Sequence, residues 1–277
     1  MICYKEASVP IKVLSPDLIV LPLLPLTEYE SRSKFSHWVK LLHSVVIGPG
    51  LGRDLVILKD FPFILESVAD KIVVGDADFF WFLSQDIELH KQIVKKFKKL
   101  ILTPNYLEFL RLYKTIQGTE FPADQLDALI QKLSDRKDEI IECNLFTEIP
   151  KLKTVFDYFE NPNLCFVIKY KYDFILANGK CYVVKCTGSL KRCGGLGDIL
   201  TGLIAYFSHL AVSKSIEIEY ALVFAALVNR KACLEAFKQM KVGLIASDVL
   251  QRVHLVVNQY LDDFYEEDVS EVFRSFE

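Results

Sequence analysis

Short apolar runs alternate with amphipathic stretches along the first half of this chain. Val45–Ile47, Lys71–Val74 and Leu100–Leu102 are almost wholly apolar, and each ends in a turn rich in Gly, Pro, Asp or Asn. Apolar runs this short, without polar alternation, predict strands buried on both faces of a parallel sheet. Helical spacing fills the intervals. In Ser31–His43 the residues Phe35, Trp38, Val39 and Leu42 recur on one face, Asp54–Ala69 follows with a disturbance at Pro62, and a short helix is expected around Phe80–Ser84. A basic helix is expected near Gln92–Lys99. Strand, loop and helix in repetition are the pattern of βαβ units.

Punctuation by proline, glycine and asparagine organises the rest. Val9–Leu14 and Leu18–Leu24 are broken by Pro10, Pro16, Pro22 and Pro25, which predicts extended structure over the first 30 residues. Thr103-Pro104-Asn105 reads as a helix start, with polar capping groups and a proline suited to an early helical position. Residues 114–163 are charged and read as helical cover. Leu164–Lys169 is a further buried strand, and Phe174–Ala177 and Cys181–Val184 flank Asn178-Gly179, a hairpin signal that predicts an antiparallel edge. Helices are expected over Asp198–His209, Ile218–Met240 and Ser247–Tyr260, the last capped by Ser247. No repeat or linker divides the chain, so a single domain over residues 1–277 is expected.

Composition narrows the class. Of 277 residues, 51% are hydrophobic and 25% charged, which is a folding composition. A net charge of −3 offers no global field for nucleic acid or anionic lipid, and neither partner is expected. The longest apolar stretch, Leu200–Val212, contains Thr201, Ser208 and His209 and is shorter than the roughly 18 residues a membrane span needs. No targeting segment is expected at the start. The 7 cysteines are odd in number and form no C-x-x-C pair, so they are read as reduced, in a cytoplasmic protein. The 5 histidines have no ligand spacing, and the Lys91–Lys99 run reads as a solvated face.

Glycine supplies the candidate chemistry. There are 12, where average usage would give roughly 19, yet 8 fall within Gly48–Gly52 and Gly188–Gly202. The second stretch reads Thr187-Gly188-Ser189-Leu190-Lys191-Arg192-Cys193-Gly194-Gly195-Leu196-Gly197-Asp198, between a predicted strand and a predicted helix. Such glycines let successive N–H groups face one anion at the positive end of a helix dipole. Lys191 and Arg192 suit phosphate charge. Asp198 would be out of place in an anion site unless it takes a proton from the group attacking phosphorus. Taken alone, the segment is equally a glycine-rich turn with an Asp at a helix start. It is not a Walker loop, and Gly48-Pro49-Gly50-Leu51-Gly52 does not have dinucleotide-fingerprint spacing.

GSLKRCGGLGDILTG resembles the anion-hole motif of the ribokinase-like superfamily, and within it the ATP- or ADP-dependent NAD(P)H-hydrate dehydratases. VVIGPGLGRD, LTPNYLEFLRL and IKYKYDFILANGK are similar to further segments of that family, in order, as is PIKVLSPDLIV. The resemblance, from about residue 9 to 250, implies a three-layer α/β sandwich with a mostly parallel sheet and helices on both faces. It implies that ATP, with Mg²⁺, phosphorylates the C6 hydroxyl of hydrated NADH or NADPH, and that loss of phosphate restores the ring. Asp198 would be the base. Gly52, Asn105, Tyr106, Leu107, Glu108, Phe109, Leu110, Arg111 and Asp198 would contact the hydrated dinucleotide. Lys169, Tyr170, Lys171, Tyr172, Asp173 and Gly188 to Gly197 would line the ATP site. Asp76-Ala77-Asp78 resembles the family's Asp-Ala-Asp-Gly turn and is equally read as a polar loop of solvated carboxylates.

The chain departs from the family at four points. The usual opening strand and Tyr-Thr-Gly-Ala-Pro-like segment is not among these residues. Tyr170 replaces a glycine after Lys169, Phe79 replaces the last glycine of Asp-Ala-Asp-Gly, and Leu196 replaces a glutamine. A related small-molecule kinase and a non-catalytic nucleotide-binding protein are the alternative readings, and a homo-oligomer is compatible with each.

Overall fold

The computed structural model describes residues 1–264, 269–274 and 276. The chain opens with β1 (Ile2–Tyr4), α1 (Lys5–Leu14) and β2 (Leu21–Leu24), with β1 and β2 forming a separate parallel pair. Then follow α2 (Tyr29–Lys40), β3 (Ser44–Ile47), α3 (Leu55–Val68), β4 (Ile72–Gly75), α4 (Asp78–Gln85), α5 (Ile87–Val94) and β5 (Lys99–Leu102). The middle of the chain supplies α6 (Tyr106–Gln117), α7 (Ala123–Ser134), β6 (Ile140–Cys143), α8 (Leu145–Glu148) and α9 (Pro150–Phe159). Next come β7 (Leu164–Lys169), β8 (Asp173–Ala177) and β9 (Lys180–Val184). The last helices are α10 (Leu196–Ser213), α11 (Ile218–Met240), α12 (Ala246–Phe264) and α13 (Val269–Arg274).

Seven strands form the central sheet in the order β3-β4-β5-β7-β8-β9-β6. β3, β4, β5 and β7 run parallel, while β8, β9 and β6 continue the sheet in antiparallel register. Side chains alternate across it with the period-two rule of a pleated strand. Val73, Leu100, Leu102, Phe166 and Ile168 pack with Phe61, Phe79, Phe82 and Phe109 on one face. Val74, Ile101, Val167 and Ile175 pack with Leu200, Ile204, Phe224 and Val228 on the other. Helices therefore cover both faces, and the expected three-layer α/β sandwich is the observed one.

The hairpin turns where expected, with Asn178 and Gly179 at φ 50° and 77°. Several element assignments are corrected. Residues 5–14 are helical and not extended, with Pro10 inside α1. Pro10 lies beyond the first turn, where it removes one i→i−4 hydrogen bond and crowds the Glu6 carbonyl, so propensity predicted a break that the chain does not make. The apolar β3 is an edge strand, and Val46 is 37% exposed. The basic helix ends at Val94, and Lys99 opens β5. Residues 140–143, read as helical cover, form β6 against β9. The first of the late helices starts at Leu196 and runs to Ser213. This 18-residue α10 is, among the described residues, the one helix long and apolar enough by length and composition to cross a membrane. Its Leu200, Ile204, Phe207 and Ala211 are buried in the core. α12 begins at Ala246, so Ser247 lies inside it. Asp248 supplies the capping acceptor instead, taking the Ile245 N–H at 2.9 Å.

Candidate functional site

The carboxyl ends of parallel strands are where open α/β sheets carry their ligands. Here the first glycine turn follows β3, Asp76–Asp78 follows β4, Thr103–Asn105 follows β5, and Lys169 ends β7. Gly48 has φ 122°, and a Cβ on it would lie 1.7 Å from the Asp76 carbonyl oxygen. That contact requires glycine and presses the two loops together. Asp78 then pins the turn. Its Oδ2 accepts the Gly52 N–H at 3.0 Å and its Oδ1 accepts Arg53 Nε at 3.0 Å.

Asp76 is 2% exposed, not a solvated loop carboxylate. Lys169 Nζ donates to its Oδ1 at 2.6 Å, across 93 residues of sequence. A Cβ on Gly197 would approach Lys169 Nζ to 3.4 Å and Asp76 Oδ2 to 3.6 Å. Glycine at 197 thus lets the first turn of α10 sit directly over this buried pair. Gly195, at φ 89°, is the N-cap, where a Cβ would be 2.8 Å from Ala246 Cβ. Asp198 stands in the first turn of α10. Its carboxylate is exposed and makes no hydrogen bond or ion pair among the described residues. A carboxylate there is favoured by the helix dipole and left open for proton transfer.

Beside α10 lies a cleft of about 600 Å³. Lys169 to Asp173, Gly188 to Arg192, Leu196 and Gly197 line it, together with Asn229, Arg230 and Cys233 of α11. Cys193, Gly194 and Gly195 belong to the same loop without lining the cleft. The loop is internally braced. Ser189 Oγ accepts the Lys191 N–H and donates to the Lys191 carbonyl, and Lys191 Nζ donates to the Val242 carbonyl. Arg192 is exposed.

Arg230 escapes sequence reasoning. It holds both Asp173 oxygens, Nε to Oδ2 at 2.6 Å and Nη2 to Oδ1 at 3.0 Å, and it reaches the carbonyls of Cys186 and Tyr170 at 3.4 Å. Burial works against its charge, but the Asp173 carboxylate more than offsets this and raises its pKa. The available signal was a charge just after the apolar run of residues 221–228 inside α11.

On the other side, α6 starts with a capping box. Asn105 Oδ1 accepts the Glu108 N–H at 3.0 Å, and Glu108 Oε2 accepts the Asn105 N–H at 2.8 Å. Asn105, not Pro104, is the helix boundary. Lys169 ties this start to β7, its N–H donating to the Pro104 carbonyl at 2.8 Å. Asn105, Glu108, Lys169, Asp76 and Gly197 therefore converge. Leu107 and Arg111 are exposed farther along, Leu110 is partly buried on the core, and Phe109 is a core ring, 2% exposed against Phe121. Its side chain is thus removed from the expected ligand-facing set.

Burial pushes the Glu108 carboxyl up, opposed by the Asn105 N–H and the Lys169 charge. A carboxyl raised on folding stabilises below its unfolded pKa, about 4.3, and loses that contribution as pH climbs through the folded value. Gln at this position keeps the capping acceptor without the charge. Thermal melts should show Glu108→Gln gaining on the parent chain between pH 4 and pH 7. A parent that gains on the variant over that range would contradict the burial argument.

A three-layer α/β sheet, with a glycine loop at the N-terminus of α10 and an open carboxylate in that helix's first turn, is a ribokinase-like fold. The fold is similar to a hypothetical protein from Streptococcus mutans, at TM-score 0.66 and 15% identity over 92% of this chain and 78% of that one. It is also similar to a ribokinase-like superfamily protein from Enterococcus faecalis, at TM-score 0.64 and 15% identity over 96% and 77%. The chain belongs to the NAD(P)H-hydrate dehydratase family, whose model matches residues 1–254. It is 33% identical to the ATP-dependent (S)-NAD(P)H-hydrate dehydratase of Schizosaccharomyces pombe over 94% of this chain and 77% of that protein. It is 30% identical to the enzyme of that name from Danio rerio, over 91% and 70%. Against the Rattus norvegicus enzyme, 32% identical, it spans 53% of that protein's length.

Proposed function

We propose that this protein is an ATP-dependent (S)-NAD(P)H-hydrate dehydratase, which returns hydrated NADH or NADPH to the reduced cofactor. The observation that carries the reading is the open Asp198 carboxylate directly after the cleft-lining Gly197, in the first turn of α10. ATP would occupy the cleft with its phosphates toward the N-terminus of α10, where backbone N–H groups and the dipole favour them. The C6 hydroxyl of the hydrate, placed by the Gly52 turn and the start of α6, would attack the γ-phosphorus. The new O–P bond forms as the bond to the β-phosphate oxygen breaks, ADP leaves, and Asp198 takes the hydroxyl proton. Loss of phosphate from C6 with a proton from C5 then restores the ring double bond.

Among the described residues no three His, Cys, Asp or Glu groups converge as a metal cage. The donor set fits an ion that arrives on nucleotide phosphates, with Asp76 and Asp198 the carboxylates adjoining Gly197. Mg²⁺ bound in that way would neutralise charge on the transferring group. A cytoplasmic location goes with this reading and is supported by the 7 free cysteines.

The test is turnover of hydrated NADH with ATP and Mg²⁺, followed by the absorbance of regenerated NADH and by phosphate release in equal amount. Reduced cofactor and phosphate appearing together support the proposal. A stable phosphorylated product would make the protein a small-molecule kinase, and ATP binding without turnover would make it a binding protein.

A further inference from the structure

Tyr170 stands where the resembling family has glycine, and its ring is not left in solvent. It packs on Tyr106, with centroids 4.4 Å apart and planes tilted by 31°. Its hydroxyl donates to Asp127 Oδ1 of α7 at 2.9 Å. The two rings belong to different halves of the site. Tyr106 is the first residue of α6, beside the Asn105–Glu108 capping box. Tyr170 lines the cleft directly after Lys169. The same two segments are joined by backbone, through the Lys169 N–H to Pro104 carbonyl bond and an Asn105–Lys169 bridge. The Tyr106 hydroxyl is buried with no hydrogen-bond partner among the described residues, so ring packing is what holds this side chain in place.

We infer that the Tyr106–Tyr170 pair is a positioning device that sets the distance between the nucleotide cleft and the start of α6, so that filling one half orders the other. A glycine at 170 cannot transmit this, because only the shared backbone link would remain. The aromatic pair adds a rigid side-chain contact to the backbone link and fixes how the start of α6 is set against the cleft. The assignment of the two halves rests on the proposed function, whereas the contact itself does not.

A binding measurement separates the two. Calorimetric titration with a non-hydrolysable ATP analogue is run alone and again with saturating NADPH, the reaction product. The parent chain should bind the analogue with affinities differing by roughly fivefold or more between the two conditions, the scale of a coupling between sites. Tyr170→Gly and Tyr106→Ala should each bring that ratio close to one, and the double variant should be no lower than either single one. Tyr106→Phe, which keeps the ring and loses only an unpartnered hydroxyl, should keep the ratio. A ratio of one in the parent chain overturns the inference. So does a parent-like ratio in Tyr170→Gly, which would mean that the two ligands couple by direct contact. Loss of hydrate turnover with the ratio intact would overturn the proposed reaction and leave the pair standing.

Discussion

Asp198→Asn is expected to lower kcat for hydrated NADH by about 10²- to 10⁴-fold, the usual contribution of a positioned general base. The fold should survive the change. Asp198 is exposed and its side chain has no partner among the described residues, so no buried group is orphaned by losing it. The one stabilising contribution at stake is the interaction of the carboxylate with the N-terminus of α10, worth about 0.3–1 kcal/mol. Asn also has nearly the same shape, so the glycine loop before it has no steric reason to move. ATP affinity should then stay close to that of the parent chain, or rise slightly as a negative charge leaves a phosphate site. The measurement is steady-state turnover beside ATP-analogue binding and a thermal melt. A kcat within threefold of the parent, with the protein folded, would remove Asp198 from the chemistry. A loss of turnover that tracks a loss of ATP affinity would recast Asp198 as a binding residue.

Local signals were the readable part of this fold. Asn178-Gly179 specifies its own turn, because both residues tolerate positive φ, and both adopt it. The α6 start was readable because Asn105 and Glu108 satisfy each other's backbone over three residues. The turn before α10 was readable from its clustered glycines, although composition alone left it equally an ordinary glycine-rich helix start. What stayed hidden depends on partners far away in the chain. β6 has four residues with Glu142 among them, and only its pairing with β9 makes it a strand. Asp76 looked like one carboxylate of a polar loop, since nothing near it in sequence announces Lys169. Asp173 and Arg230 are likewise 57 residues apart. Phe109 sits in a motif associated with binding, yet helical periodicity turns it toward the core while Leu107 faces out. Motif membership marks a segment, and only packing says which of its side chains face a ligand.

Breaking the buried Asp76–Lys169 pair should carry a large stability cost. The Asp76 side chain is 3% exposed and that of Lys169 18%. Lys169→Met removes the only cation that contacts Asp76 among the described residues and leaves its carboxylate buried without compensation. Breaking one side of a buried pair in this way costs about 3–5 kcal/mol. Asp76→Asn should cost less, because the amide carries no charge and the lysine left behind can shift toward solvent. The double variant, Asp76→Asn with Lys169→Met, should recover part of the loss suffered by Lys169→Met alone, since no isolated charge remains. Denaturant unfolding of the four chains gives the coupling directly. Activity should not follow stability. Gly197 lies against both charges, so the double variant, though better folded than Lys169→Met, should still turn over slowly for want of a cation beside the first turn of α10. If Lys169→Met lies within 1 kcal/mol of the parent chain, Asp76 is not held as an uncompensated buried charge and the pair contributes little. If the double variant regains full turnover, the pair is structural alone and the phosphate charge is met by Lys191 and Arg192.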